Sequence, residues 1–170
     1  MSQTQILKEI IEERRSIFPK DYTGKKISGH IIDEILSNAV LAPNHKRTKP
    51  WRFKVFKDEE KLALGAELQR IYKETTPDFQ FLEKKYQDIG NKINQASAVI
   101  SIVVEMSGLV PDWEEIAAVA MAVQNMYLTC TVHKIGCYWS SPAIVDHLSE
   151  SLKIGERQKC LGLFYLGTLD

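Results

Sequence analysis

The 170-residue sequence predicts an α+β fold, a sandwich of helices around a central mixed or antiparallel sheet. Runs at helical spacing recur along the chain, while only a few short stretches read as strands. One long stretch, from Asp112 to about Lys134, has helical character but is apolar nearly all round, so it must be covered on every side, in a core or in a subunit interface. No repeat, linker or low-complexity tract divides the chain, and residues 1–170 read as a single domain of ordinary size.

The elements follow in order. Ile6, Leu7, Ile10 and Ile11 predict a helix over 4–14 that ends near Arg14-Arg15. After a loop with Pro19 and Gly24, Ser28 is the expected N-cap of a second helix, whose face is Ile31, Ile32, Ile35, Leu36, Ala39 and Val40; Pro43 stops it. Trp51, Phe53 and Val55 alternate with Arg52 and Lys54, the period of a half-buried strand. Residues 59–74 return to helical spacing, and the polar stretch 77–93 reads as a mobile helical excursion. The β-branched run Val99–Val104 predicts a buried strand. Asp112 with Glu115 three residues on predicts a capping box that opens the long helix. A short strand over 137–140, a short helix over 143–152 and a final apolar strand over 161–166 complete the chain.

Composition excludes several classes. Lys+Arg and Asp+Glu are both 22, so no global field draws the protein to nucleic acid or to a membrane. Cys130, Cys137 and Cys160 are odd in number and form no CxxC pair, which suits reduced thiols in a cytoplasmic protein. The N-terminus lacks the pattern of a signal peptide, and the longest apolar run, 116–123, is far short of the roughly 20 residues that cross a bilayer. There is no GxGxxG, P-loop lysine or GxSxG elbow. His30, His45, His133 and His147 lack metal-ligand spacing, so no metal site is expected.

Three segments carry possible site chemistry. Arg14-Arg15-Ser16 offers guanidinium and hydroxyl donors suited to a phosphate, although cations at a helix C-terminus also complement its dipole. From Lys46 to Lys57 there are six cations and no acid, interleaved with Trp51, Phe53 and Phe56. That pattern suits a nucleic-acid patch, a cationic loop beside an anionic cofactor, or a solvated basic turn over core aromatics. Gly136 to Pro142 ends a strand with Trp139, Ser140 and Ser141, either as a site or as plain packing. Donors without a visible acid, base or nucleophile suit an enzyme whose cofactor does the chemistry.

In this order and spacing the segments resemble the nitroreductase family over nearly the whole chain. Arg14-Arg15-Ser16 is similar to its N-terminal Arg-Arg-Ser, and Ala42-Pro43 through Trp51-Arg52-Phe53 to its Ala-Pro…Pro-Trp-x-Phe segment. Gln124-Asn125, Gly136 to Trp139 and Leu161 to Gly167 match further motifs, and Ala42-Pro43-Asn44-His45-Lys46 is nearest the small, minimal branch. The resemblance implies a nitroreductase-like sandwich and a homodimer with FMN at the subunit interface. It also implies a ping-pong cycle in which NADH or NADPH gives hydride and a nitroaromatic, quinone or similar small molecule accepts it. Dehalogenation or enone reduction on the same fold is the alternative flavin chemistry, and a basic nucleic-acid-binding module the alternative outside enzymes.

By the family's roles, Arg14, Arg15 and Ser16 hold the phosphate and ribityl chain, Leu41 and His45 line the cofactor site, and Trp139, Ser140 and Ser141 back the ring. The family's cation two residues after Arg-Arg-Ser is replaced by Phe18, and its Asn and Gln in the second motif by Arg47 and Lys49. Lys46 or Arg47 is therefore expected to stabilise the anionic edge of a reduced flavin. The basic C-terminal tail of larger relatives has no counterpart before Asp170.

Overall fold

Two strands buried on both faces form the centre of the sheet. A computed structural model describes residues 1–170. It contains α1 (Gln3–Glu13), α2 (Gly29–Ala39), β1 (Trp51–Phe56), α3 (Asp58–Thr75), α4 (Glu83–Gln95), β2 (Ala98–Glu105), α5 (Asp112–Val132), β3 (Ile135–Ser140), α6 (Ser149–Leu152) and β4 (Gln158–Thr168). The sheet order is β1-β2-β4-β3, and every pairing is antiparallel. The apolar runs of β2 and β4 suit the two inner positions, because a strand covered on both faces needs no polar alternation. The edge strand β1 does alternate: Arg52 and Lys54 face solvent while Trp51 is buried.

Each face of the sheet carries its own core. Ile32, Ile35 and Ala39 of α2 and Ala118, Val119, Ala122, Val123 and Met126 of α5 pack on one face against Ile100, Ile102 and Phe164. Leu64, Leu68 and Ile71 of α3 and Ile93 of α4 pack on the other against Val99, Val103, Leu163 and Tyr165. The polar stretch expected to be a mobile helical excursion is helical over Glu83–Gln95 and docks on α3. Gly65 faces Ile93 so closely that an added Cβ would sit 2.9 Å from Ile93 Cγ2, and at Gly90 it would sit 2.9 Å from Gln69 Nε2. Close approach at two glycines holds α4 with little apolar surface of its own, which is why its composition hid the packing.

Three local expectations change. The capping box does not form: Pro111 is the N-cap of α5, and the buried Glu115 accepts from the Ser107 N–H at 2.8 Å. Ser28 stands at the N-cap of α2 but makes no side-chain cap. Residues 143–152 split into a 3-10 turn (Ala143–His147) and the single turn α6. No helix is long and apolar enough to cross a membrane.

α1 is the exception to orderly burial. It buries none of its residues, and Ile6, Leu7 and Ile11 remain exposed although they follow helical spacing. On α5, Trp113, Ile116, Met121 and Val132 are exposed as well. A single chain leaves this apolar surface uncovered.

Candidate functional site

The C-terminal end of α1 and the end of β3 meet around one residue of α5. Ser16 Oγ lies 3.2 Å from the Tyr127 hydroxyl, and the Trp139 N–H donates to that hydroxyl at 2.9 Å. The Arg14 guanidinium stands over the Tyr127 ring, 5.5 Å from its centroid. Tyr127 itself is buried and meets Phe164 edge-on, with ring centroids 5.0 Å apart. The Ile17 N–H donates to the Cys137 carbonyl at 2.9 Å, tying the segment after Ser16 to the free edge of β3. Three of the residues singled out by sequence thus converge on a tyrosine that sequence did not single out.

Trp139 is seated by a glycine. β4 bulges opposite Ile102/Val103, and Gly162 adopts a φ of +137°. A Cβ there would sit 2.6 Å from Trp139 Nε1 and 2.4 Å from the Ser140 carbonyl oxygen, so only glycine lets the indole lie against β4. The Trp139 Nε1 donor is buried without a protein partner. Ser140 is buried beside it and Ser141 is exposed.

Arg15 behaves differently from Arg14. Its Nη1 donates to the Glu12 and Arg14 carbonyls, at 2.5 and 2.9 Å, and so satisfies the end of α1. The helix-end reading holds for Arg15, whereas Arg14 and Ser16 face Tyr127. Phe18 turns to the opposite face of the sheet, where its ring lies 4.4 Å from that of Tyr138.

The second group of expected residues lies elsewhere on the chain. Asn125 Nδ2 donates to the Asn38 carbonyl at 3.0 Å, which pins the end of α2 to α5. The loop after α2 then runs along α5 to its N-terminus. There His45 Nδ1 meets Glu114 Oε2 at 2.6 Å, and Lys46 Nζ donates to the Leu109 carbonyl at 2.8 Å. Leu41 is 76% exposed. Arg47 is exposed and its guanidinium has neither a hydrogen-bond nor a salt-bridge partner, so of the two expected cations only Arg47 is free. Glu114 and Tyr127 are 13 positions apart on α5, about 20 Å along its axis. One chain therefore holds the 14–16/139–141 group at one end of α5 and the 45–47 group at the other.

The 44–49 loop is strained. Lys46, Arg47 and Lys49 have φ of 50°, 55° and 47°, a region that costs a non-glycine residue about 1–3 kcal/mol. Asn44 staples the loop by accepting from the Lys49 N–H at 2.9 Å and donating to the Ala42 carbonyl at 3.3 Å. The basic segment after it does not form a stacking surface. Trp51 belongs to the core, Phe53 packs on it, and Phe56 is buried on the opposite face. Arg52 pairs with Glu105 at 3.0 Å.

No exposed thiol stands near either group. Cys130 and Cys137 are buried, and burial pushes the Cys130 thiol well up, with Cys137 reinforcing it. No three His, Cys, Asp or Glu side chains are grouped to hold a metal ion. Cavities of about 530 and 440 Å3 both lie on the α3–α4 side, away from these residues. Arg14 and Ser16, on a helix–sheet–helix sandwich, are donors suited to an anionic group.

Comparison with known proteins supplies the class. The nitroreductase family model matches residues 11–168, and the chain belongs to the nitroreductase family. YdjA of Escherichia coli (strain K12), which carries a provisional NAD(P)H nitroreductase name, is 28% identical over 145 residues, covering 83% of this chain and 77% of its own. A nitroreductase-like family protein from Bacillus cereus superimposes with a TM-score of 0.81 at 24% identity, over 100% of this chain and 89% of its own. The FMN-dependent nitroreductase NfnB from Mycobacterium smegmatis, solved with NADPH, gives a TM-score of 0.80 at 15% identity, over 99% of this chain and 90% of its own.

Proposed function

We propose that this protein is an FMN-dependent oxidoreductase that takes hydride from NADH or NADPH and reduces a nitroaromatic, quinone or similar small acceptor in a ping-pong cycle. The observation that carries this reading is that Arg14 and Ser16 gather at Tyr127, beside the strand end that carries Trp139, in a chain of the nitroreductase family. NfnB, named as FMN-dependent and solved with NADPH, supports the choice of cofactor and donor. Bound at this site, FMN would supply the hydride chemistry that no side chain here offers. Arg14 and Ser16 hold its phosphate end, and Trp139, Ser140 and Ser141 flank its ring.

The protein works as a homodimer in this reading. The exposed apolar residues of α1 and α5 give one chain a reason to cover another. The two residue groups at opposite ends of α5 give the site a reason to need both chains. Leu41 and His45 of one subunit then complete the site begun by Arg14 and Trp139 of the other. The Arg47 guanidinium, free where Lys46 is engaged by the Leu109 carbonyl, serves the anionic edge of the reduced ring.

Purification under non-denaturing conditions, followed by an absorbance spectrum and sedimentation, tests both parts. The expected result is a yellow dimer with about one FMN per chain that consumes NADH or NADPH when an acceptor is added. A colourless protein that takes up no FMN on titration removes the reading, and a folded monomer at micromolar concentration removes the dimer.

A further inference from the structure

We infer that Tyr127 is a positioning residue whose hydroxyl fixes the direction of a three-member hydrogen-bond chain, so that the Ser16 hydroxyl proton points out of the protein toward an anionic ligand. The inference rests on the flavin reading, because it names the FMN phosphate and ribityl chain as that ligand.

The direction follows from counting protons. The backbone N–H of Trp139 only donates, so the Tyr127 oxygen accepts from it. The remaining neighbour of that oxygen is Ser16 Oγ, at 3.2 Å. If Ser16 donated to Tyr127, the phenolic proton of a buried residue would have no acceptor, a costly arrangement. Tyr127 therefore donates to Ser16. Ser16 is exposed and accepts from Tyr127 through one of its two lone pairs, so its own proton is not spent on Tyr127 and is free to be donated outward. A serine that spent its proton on Tyr127 would present only lone pairs to an anion, and the phenolic proton rules out that arrangement.

The same residue places the charge. The Tyr127 ring lies under the Arg14 guanidinium, so hydroxyl and ring together set a donor and a cation on one side of the site. Phe164 meets the ring edge-on and holds its plane. A conservative Tyr127→Phe change keeps the ring and both of its contacts while removing the proton chain.

FMN and riboflavin are titrated into the apo forms of wild type, Tyr127→Phe, Ser16→Ala and the double variant, following flavin fluorescence. Tyr127→Phe is expected to weaken FMN about tenfold, as loss of one oriented donor to a charged group would. Ser16→Ala should do the same, and the double variant should lose no more than about twofold beyond either, since both break one chain. Losses that simply multiply, or a Tyr127→Phe protein that melts earlier yet holds FMN as wild type does, overturn the assignment. If wild type binds neither flavin, the flavin reading falls and takes this one with it; wild-type binding with unaffected variants removes this one alone. Should Tyr127→Phe fail to fold, Ser16→Thr and Ser16→Ala decide: the threonine restores a donor and should restore FMN affinity, and equal affinity of the two overturns the chain.

Discussion

On the α3–α4 side of the sheet, Arg70 contacts both Glu67 and Glu74, Glu67 also accepts from Ser151, and Lys61 caps the end of α4 through the Ala96 carbonyl. On the α1–α5 side, Arg47 has no acidic partner, Trp139 Nε1 and Glu115 Oε1 are buried without partners, and three residues of one loop sit at positive φ. One layer satisfies itself, and the other leaves groups waiting. The helices differ in packing as well: α4 closes on α3 at two glycines and buries Ile93, while α1 buries none of its residues. The buried side-chain atoms without a partner all lie in the α1–α5 layer, the layer where the proposed function seats its ligand and second chain.

The comparison predicts that damage to the closed layer costs stability and damage to the open layer costs function. The largest effect is expected from Ile93→Ala, which empties a site that is 1% exposed and faces Gly65. Urea unfolding should show a loss of about 2–5 kcal/mol, with FMN affinity at its wild-type value. A large fall in FMN affinity of the folded variant would break the separation of the layers.

Arg47→Ala should leave melting unchanged, because its guanidinium makes no contact within the chain. Stopped-flow reduction by NADH or NADPH should slow by about 10²-fold, comparable to removing one donor from an oxyanion site. Reduction at the wild-type rate would reject Arg47 in that role and return attention to Lys46.

Arg14→Ala should weaken FMN by roughly 10–100-fold, the effect of a lost charge-assisted contact to a phosphate. Riboflavin, which lacks the phosphate, should bind as before. Equal losses for both flavins would make Arg14 a support for the Tyr127 ring rather than a phosphate ligand.

The smallest effect belongs to the paired charges of the closed layer. Arg70 and Ser151 lower the Glu67 carboxyl from 4.5 to about 2 in the folded protein. A group whose folded value is depressed contributes stability above its unfolded value and loses it as pH falls toward the folded one. Glu67→Gln should therefore cost at most about 1 kcal/mol near neutral pH, as exposed pairs do, and the cost should shrink below about pH 4.5 and vanish as pH falls through about 2. A melting series between pH 7 and 2 checks it, and a penalty that grows with acid would reverse the sign.

The secondary structure was legible because periodicity is a local property. The Trp51–Val55 alternation, the β-branched run at 99–104 and the apolar spacing of α1 and α2 each report which side of an element avoids water. The docking of α4 was not legible, because a glycine of α3 sets the close approach that Ile93 fills, and neither was the start of α5, where Glu115 answers a loop N–H instead of capping the helix.

The sequence by itself determined the elements, the family's motifs and the presence of Arg14, Ser16 and Trp139 among the donors. Only the tertiary structure decided that Tyr127 joins them, because its hydroxyl meets a serine 111 positions away and nothing near residue 127 announces it. It also decided that Lys46 is engaged while Arg47 is free, and that residues 45–47 lie at the far end of α5 from residues 14–16. The physical reason is the same in each case. Burial is written into local spacing, whereas a hydrogen-bond partner is chosen by which distant atom the packed helices and sheet bring within about 3 Å.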